Sequence, residues 1–65
     1  MSLFSDNLKT KMKEKDMTQE LLSKSSGISQ GSISLYLRKK NIPNALAIIK
    51  MARSLDCSTD ELICL

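Results

Sequence analysis

Residues 18–38, TQELLSKSSGISQGSISLYLR, decide the fold of this chain. Thr18 and Ser29 are good N-caps for two short helices, because each hydroxyl can accept a hydrogen bond from a free amide of the first turn. Gly27 lies between the two helical patterns, and glycine adopts the left-handed conformation at a helix end without the steric cost of a side chain. The stretch therefore predicts two helices joined by a tight turn.

Further helices are predicted on both sides of this unit. Ser5 is the expected N-cap of the first helix, whose inward face carries Leu8 and Met12 one turn apart. Pro43 prevents continuation of the third helix, and Asn44 caps a fourth. A Ser-x-x-Glu capping box at 58–61 starts a short fifth helix. The predicted helices cover residues 5–15, 19–25, 30–38, 45–55 and 59–63.

Apolar spacing predicts which residues form the core. Three hydrophobic pairs are placed to staple helix starts: Met17 with Leu22, Ile28 with Ile33, and Cys57 with Leu62. In the second helix, Leu21 and Leu22 are expected to supply apolar contacts. The third helix should face inward with Ile33, Tyr36 and Leu37, and outward with Gly31, Leu35 and Arg38. The predicted apolar stripe of the fourth helix is Ala45, Ile48, Ile49, Ala52 and Leu55.

Length and composition limit the architecture to one small domain over residues 1–65. The 65-residue chain is 42% hydrophobic but only 3% aromatic, so Leu, Ile and Met must form the core. Local contacts between helices are the ones that a short chain closes most readily. The predicted fold class is all-α, a compact five-helix domain.

Several functional classes are disfavoured by residue usage. Cys57 and Cys64 are the only cysteines and there is no histidine, so no zinc site, redox pair or other cofactor is expected. Two reduced thiols in or near the core are favoured over a disulfide across a dimer. Without histidine, a phosphate loop or clustered carboxylates, an enzyme is not expected. No apolar run suits a bilayer and no signal peptide is recognisable, so we expect a cytoplasmic protein without a membrane partner.

The net charge of +3 is unevenly distributed. Residues 1–40 carry eight basic and four acidic side chains, a sum of +4, whereas residues 41–65 carry two basic and three acidic ones, a sum of −1. A basic half is weak evidence for a polyanionic partner by itself, because solvated helix faces explain most charge runs.

The chain resembles the phage repressor/Cro-type (XRE-like) helix-turn-helix DNA-binding family over about residues 5–63. The motifs that carry this resemblance are Thr18-Gln19-Glu20-Leu21-Leu22, Gly27-Ile28-Ser29, Ser32-Ile33-Ser34, Pro43-Asn44 and Ser58-Thr59-Asp60-Glu61-Leu62. Four residues depart from the family pattern. Ser26 replaces an apolar residue, Lys39 replaces a glycine, and Gly31 and Leu35 replace polar base-reading side chains.

The resemblance implies a repressor-like fold and two groups of DNA-contacting residues. The positions that read bases correspond to Ser29, Gln30, Gly31, Ser34 and Leu35. The positions that contact the DNA backbone correspond to Thr18, Gln19, Ser32, Arg38, Lys39, Lys40 and Asn41.

The expected function is therefore a sequence-specific transcriptional regulator, specifically a repressor that reads the major groove of double-stranded DNA with its third helix. A homodimer on a palindromic operator is expected, because one such domain contacts too little DNA for high specificity. Residues 62–65 are the expected dimer surface, with closure of the core as the alternative. A protein-interaction module that presents Leu35 and the C-terminal apolar residues is the alternative function.

Overall fold

The computed structural model describes residues 3–63, and this part of the chain folds into five α-helices without a β-strand. The helices are α1 (Leu3–Glu14), α2 (Gln19–Ser26), α3 (Gln30–Leu37), α4 (Ala45–Ser54) and α5 (Thr59–Ile63). The all-α, five-helix class predicted from sequence is confirmed. None of these helices is long and apolar enough to cross a membrane.

One hydrophobic core joins all five helices. Helix α2 packs against α3 and α4, whereas α1 packs against α3 and α5. The contact between α4 and α5 completes the arrangement. The buried apolar residues are Leu8, Met12, Leu22, Ile33, Tyr36, Ala47, Met51, Ala52, Leu55 and Leu62. Every helix contributes to this set, so the orientation of α3 depends on the whole core.

The caps around the central turn form as predicted. The Leu21 amide donates to Thr18 Oγ1 at 3.1 Å, and the Ser32 amide donates to Ser29 Oγ at 3.1 Å. Gly27 ends α2 in the left-handed conformation, with a φ of +80°. Ser26 Oγ accepts a hydrogen bond from the Ile28 amide at 3.2 Å, so the polar residue that departs from the family pattern stabilises the turn.

Ser5 does not cap α1, contrary to the prediction. The helix already begins at Leu3, and Ser5 lies within its first turn with only 3% of its surface exposed. Its hydroxyl instead donates to the carbonyl of Leu37 at 2.9 Å. The last carbonyls of a helix have no partner within that helix, and Ser5 supplies one from a neighbouring helix. This contact fixes the end of α3 against α1.

The predicted apolar face of α4 is partly wrong. Ala45 and Ile49 are exposed, although both belong to the predicted stripe. Residues 45–49 are all apolar, so helical periodicity does not define one face there, and packing against α2 and α5 selects the buried one. The buried residues are Ala47, Met51 and Ala52 in the helix, with Leu55 at its C-cap.

Lys39, the second residue after α3, has a strained backbone conformation. Its φ is +63°, and the next residue closes the helix end through a hydrogen bond from the Lys40 amide to the Leu35 carbonyl at 2.9 Å. Residues with a Cβ adopt this conformation at a cost of about 1–2 kcal/mol, which glycine avoids. A glycine here, which the family resemblance implies, would avoid this cost.

Replacing Lys39 by glycine is therefore expected to stabilise the fold relative to alanine. Both variants lose the lysine side chain, but only Lys39→Gly removes the strain in the backbone. We therefore expect the free energy of unfolding of Lys39→Gly to exceed that of Lys39→Ala by about 1 kcal/mol. Urea denaturation followed by circular dichroism gives the comparison. Equal stability of the two variants would show that the backbone is unstrained.

The capping box of α5 also ties this helix to α1. Glu61 Oε2 accepts a hydrogen bond from the Ser58 amide at 2.8 Å, and Glu61 Oε1 lies 2.9 Å from Lys11 Nζ. The hydrogen bond from Lys11, followed by that from the Ser58 amide, lowers the pKa of Glu61 from its ordinary 4.5 to about 2. The ionised carboxylate is therefore favoured by the folded state.

Acid should remove this contribution to stability. Because the pKa of Glu61 is lower in the folded state, the contribution is complete above pH 4.5 and is lost as the pH falls from 4.5 to about 2. The advantage of wild type over Glu61→Gln in urea midpoint should be present at pH 6 and largely lost at pH 2. Glu20→Gln, with the same charge change on α2, is the control. An undiminished difference at pH 2 would contradict this assignment.

Candidate nucleic-acid interface

The two helices of the central unit are held by their own caps and by the core beneath them. Helix α3 buries Ile33 and Tyr36, which leaves its first turn and its opposite side directed away from the core. Gln30 and Gly31 are exposed there, while Ser34 is half-buried. The outer surface of α3 thus presents small or polar residues over its N-terminal turn.

Gly31 has no evident structural reason to be glycine. A Cβ built at this position meets no atom within 4 Å, and the residue lies inside α3 rather than in a left-handed turn. Glycine within a helix costs roughly 0.5–1 kcal/mol relative to alanine. The fold therefore accepts a destabilising residue on its outer face, which is the arrangement expected where another surface approaches the backbone closely.

Ser29 and Ser32 form a hydroxyl pair at the start of α3. Ser29 Oγ accepts from the Ser32 amide, and the two hydroxyl oxygens lie 2.9 Å apart, within hydrogen-bond distance. A serine hydroxyl has a single proton to donate and rotates to suit its partner. One proton of the pair is thus used within the chain, and the other is left to reach an external acceptor.

Two leucines lie differently from their predicted positions. Leu21 was expected to supply apolar contacts, yet it is 49% exposed. Leu35 was expected on the outer face of α3, but the structure half-buries it. Because α3 packs against both α1 and α2, its sides are more covered than one buried face would imply. Leu35 therefore offers less surface to an outer partner than predicted.

The residues predicted to contact a DNA backbone lie at the start of α2 and just after α3. Thr18 is exposed and Gln19 is half-buried. The four residues after α3 are all exposed, namely Arg38, Lys39, Lys40 and Asn41. Three consecutive basic side chains thus reach water where α3 ends.

The carboxylates of the fold do not neutralise these basic residues equally. Within residues 3–63, Arg38 and Lys40 have no carboxylate within 4 Å, whereas Lys39 Nζ lies 3.7 Å from Asp6 Oδ1. Sequence reasoning did not find Asp6, because its approach to Lys39 depends on the packing of α1 against α3. No local pattern in the sequence marks this contact.

Comparisons with known proteins agree with the fold and the central unit. A protein-family model described as "Helix-turn-helix" matches residues 8–62. Among solved structures, the restriction-modification controller protein C.AhdI from Aeromonas hydrophila is similar, with 26% sequence identity and a TM-score of 0.89. The similarity covers 94% of this chain and 92% of that chain. No curated protein sequence matches.

Proposed function

The chain belongs to the helix-turn-helix family, and from this membership we propose that it is a sequence-specific repressor that reads the major groove of double-stranded DNA with α3. The family and the similarity to a controller protein support a DNA-binding transcription regulator rather than an enzyme. The observation that carries the finer proposal is the outer face of α3. It presents exposed Gln30 and Gly31 at its start, and an exposed basic segment follows the end of the same helix.

In this proposal the start of α3 enters the groove. Gln30 hydrogen-bonds a base edge, for which the side-chain amide has both a donor and acceptors. Gly31 permits close approach of the helix backbone to the DNA. Ser29 accepts from a base donor, whereas Ser34 and the exposed part of Leu35 contact bases further along α3, the latter at a thymine methyl group.

The backbone contacts hold α3 in register. Ser32 donates its hydroxyl proton to a phosphate oxygen, and Thr18 and Gln19 contact a phosphate at the start of α2. The remaining contacts come from the segment after α3, which consists of Arg38, Lys39, Lys40 and Asn41. The three basic side chains of this segment neutralise phosphates and release counterions, so DNA binding should weaken steeply as the salt concentration rises.

A homodimer on a palindromic operator is part of the proposal. The expected dimer surface needs correction at Leu62, which is fully buried and closes the core. Cys64 and Leu65 lie outside the described residues. We therefore place the dimer surface at an apolar groove of about 230 Å³ between α4 and α5, which is lined by Ala45, Ile48, Ile49, Thr59 and Ile63.

Analytical ultracentrifugation tests the dimer and its surface together. Ile49→Glu places a charge in the groove and should yield a monomer at concentrations where wild type is dimeric, since a buried unpaired charge is costly. Lys50→Glu, on the adjacent exposed position of α4, is the control. Wild type that stays monomeric at high micromolar concentration, with and without duplex DNA, would reject the dimer.

A protein-interaction module is the alternative function, and exposed apolar side chains favour it. Ile42 is 93% exposed and Leu46 is 59% exposed, both outside the proposed DNA-binding surface of α3. Fluorescence anisotropy with a labelled random duplex separates the two functions. DNA binding that falls steeply between 50 and 200 mM salt is expected of the regulator, whereas absent or salt-insensitive binding would favour the interaction module.

A further inference from the structure

The N-terminal turn of α1 is fixed against the end of α3. The rings of Phe4 and Tyr36 meet edge to face, with their centroids 6.1 Å apart. Ser5 donates to the Leu37 carbonyl at 2.9 Å. Since the residues on α1 immediately before Asp6 are anchored in this way, the Asp6 carboxylate is held beside the segment that follows α3.

Asp6 forms an ion pair with a residue of that segment. Its Oδ1 atom lies 3.7 Å from Lys39 Nζ, and the two side chains are 61% and 48% exposed, respectively. A pair as exposed as this is weak, because water screens both charges. The lysine can therefore exchange this carboxylate for another anion at little cost.

We propose that Asp6 sets the affinity of the DNA-binding surface by holding Lys39 in the free protein and competing with a DNA phosphate for its ammonium group. This inference rests on the proposed function. A carboxylate and a phosphate both offer anionic oxygens to the ammonium hydrogens, so one replaces the other as the protein binds. Each phosphate contact of Lys39 then costs one intramolecular ion pair.

The neighbouring basic residues mark Lys39 as the restrained member of the segment. Arg38 and Lys40 have no carboxylate within 4 Å among residues 3–63. In addition, the left-handed backbone of Lys39 fixes the direction in which its side chain leaves the helix end. This restraint on Lys39 opposes binding to any phosphate backbone and does not depend on the base sequence.

A random-sequence duplex is the appropriate probe, because the contribution of phosphate contacts to DNA affinity does not depend on the base sequence. Asp6→Asn should bind a labelled 30-base-pair random duplex about 3–10-fold more tightly than wild type at 50 mM salt. The slope of log K against log salt should become steeper by up to about 0.9, corresponding to one further neutralised phosphate. Circular dichroism of each variant checks that the fold is retained.

Two further variants separate the ion pair from a general change in charge. Asp60→Asn makes the same charge change on α5, which packs against α1 and α4, and should alter affinity less than twofold. In a Lys39→Gln background, Asp6→Asn should lose most of its effect. An equal gain from Asp60→Asn, or an undiminished gain without Lys39, would overturn the role of the ion pair.

The outcomes also distinguish this inference from the proposed function. Wild type that binds the duplex with strong salt dependence, but no more weakly than Asp6→Asn, would overturn the inference and leave the function standing. Wild type that does not bind the duplex at 50 mM salt would overturn both.

Discussion

Replacing Ile33 by alanine is expected to lower the free energy of unfolding by about 2–5 kcal/mol. Ile33 is fully buried in α3 and belongs to the core that joins all five helices. A domain of this size has a total stability of only roughly 3–10 kcal/mol, so the variant should be largely unfolded on warming. Because α3 depends on this core for its orientation, DNA binding should fall with the folded fraction.

Ile42→Ala is the matched control for this prediction. It makes the same chemical change at a side chain that is 93% exposed, and its stability should change by no more than about 0.5 kcal/mol. Urea denaturation of both variants by circular dichroism gives the two values. Similar losses at the two positions would contradict the core assigned to α3.

Replacing Gln30 by alanine should relax the sequence preference of DNA binding. Gln30 is exposed on the first turn of α3, where its amide can make two hydrogen bonds to one base. Loss of a good bidentate contact should reduce discrimination at that base pair by about 1–3 kcal/mol, while other base pairs keep their preferences. Since the side chain is not part of the core, stability should be nearly unchanged.

The measurement is a competition assay on the DNA site that selection from a random pool yields. The affinities of this site and of its single-base variants are ranked for each protein. Gln19→Ala is the control, because Gln19 is proposed to contact the DNA backbone at the start of α2. It should weaken all duplexes to a similar extent and leave their order unchanged. If Gln30→Ala also left the order unchanged, the proposed base contact would be wrong.

The features that sequence reasoning predicted well are local ones. The capping box joins Ser58 to Glu61, and the Asn44 side chain accepts from the Ala47 amide at 2.8 Å. Each requires residues only three positions apart, so spacing and residue type are sufficient to predict it. The same holds for Gly27, whose left-handed conformation follows from its position between two helical patterns.

The features that sequence reasoning missed depend on contacts between distant parts of the chain. Ser5 looks like a helix cap until α3 provides a carbonyl acceptor 32 positions away. The buried face of α4 is chosen by its neighbours, because its first five residues are all apolar. The pairing of Asp6 with Lys39 likewise follows from the packing of α1 on α3.

The candidate site likewise has features that the sequence predicts and features that only the structure shows. Its caps follow from the sequence, and the family resemblance implies which positions of α3 contact DNA. The hydrogen bond between the Ser29 and Ser32 hydroxyls requires the formed helix start. It uses one of the two hydroxyl protons and leaves the other for an external acceptor, a limit that residue type alone does not set. The half-buried position of Leu35 also required the structure, since it results from packing on both sides of α3.

Selection from a pool of random duplex DNA tests the central claim most directly. After several rounds on immobilised protein at moderate salt, the account predicts enrichment of an inverted repeat whose half-sites lie about one helical turn, or about 34 Å, apart. Binding to the enriched duplex should exceed binding to the starting pool by at least about 10³-fold. A pool that stays random after selection, with binding that hardly changes with salt, would contradict sequence-specific DNA recognition by α3.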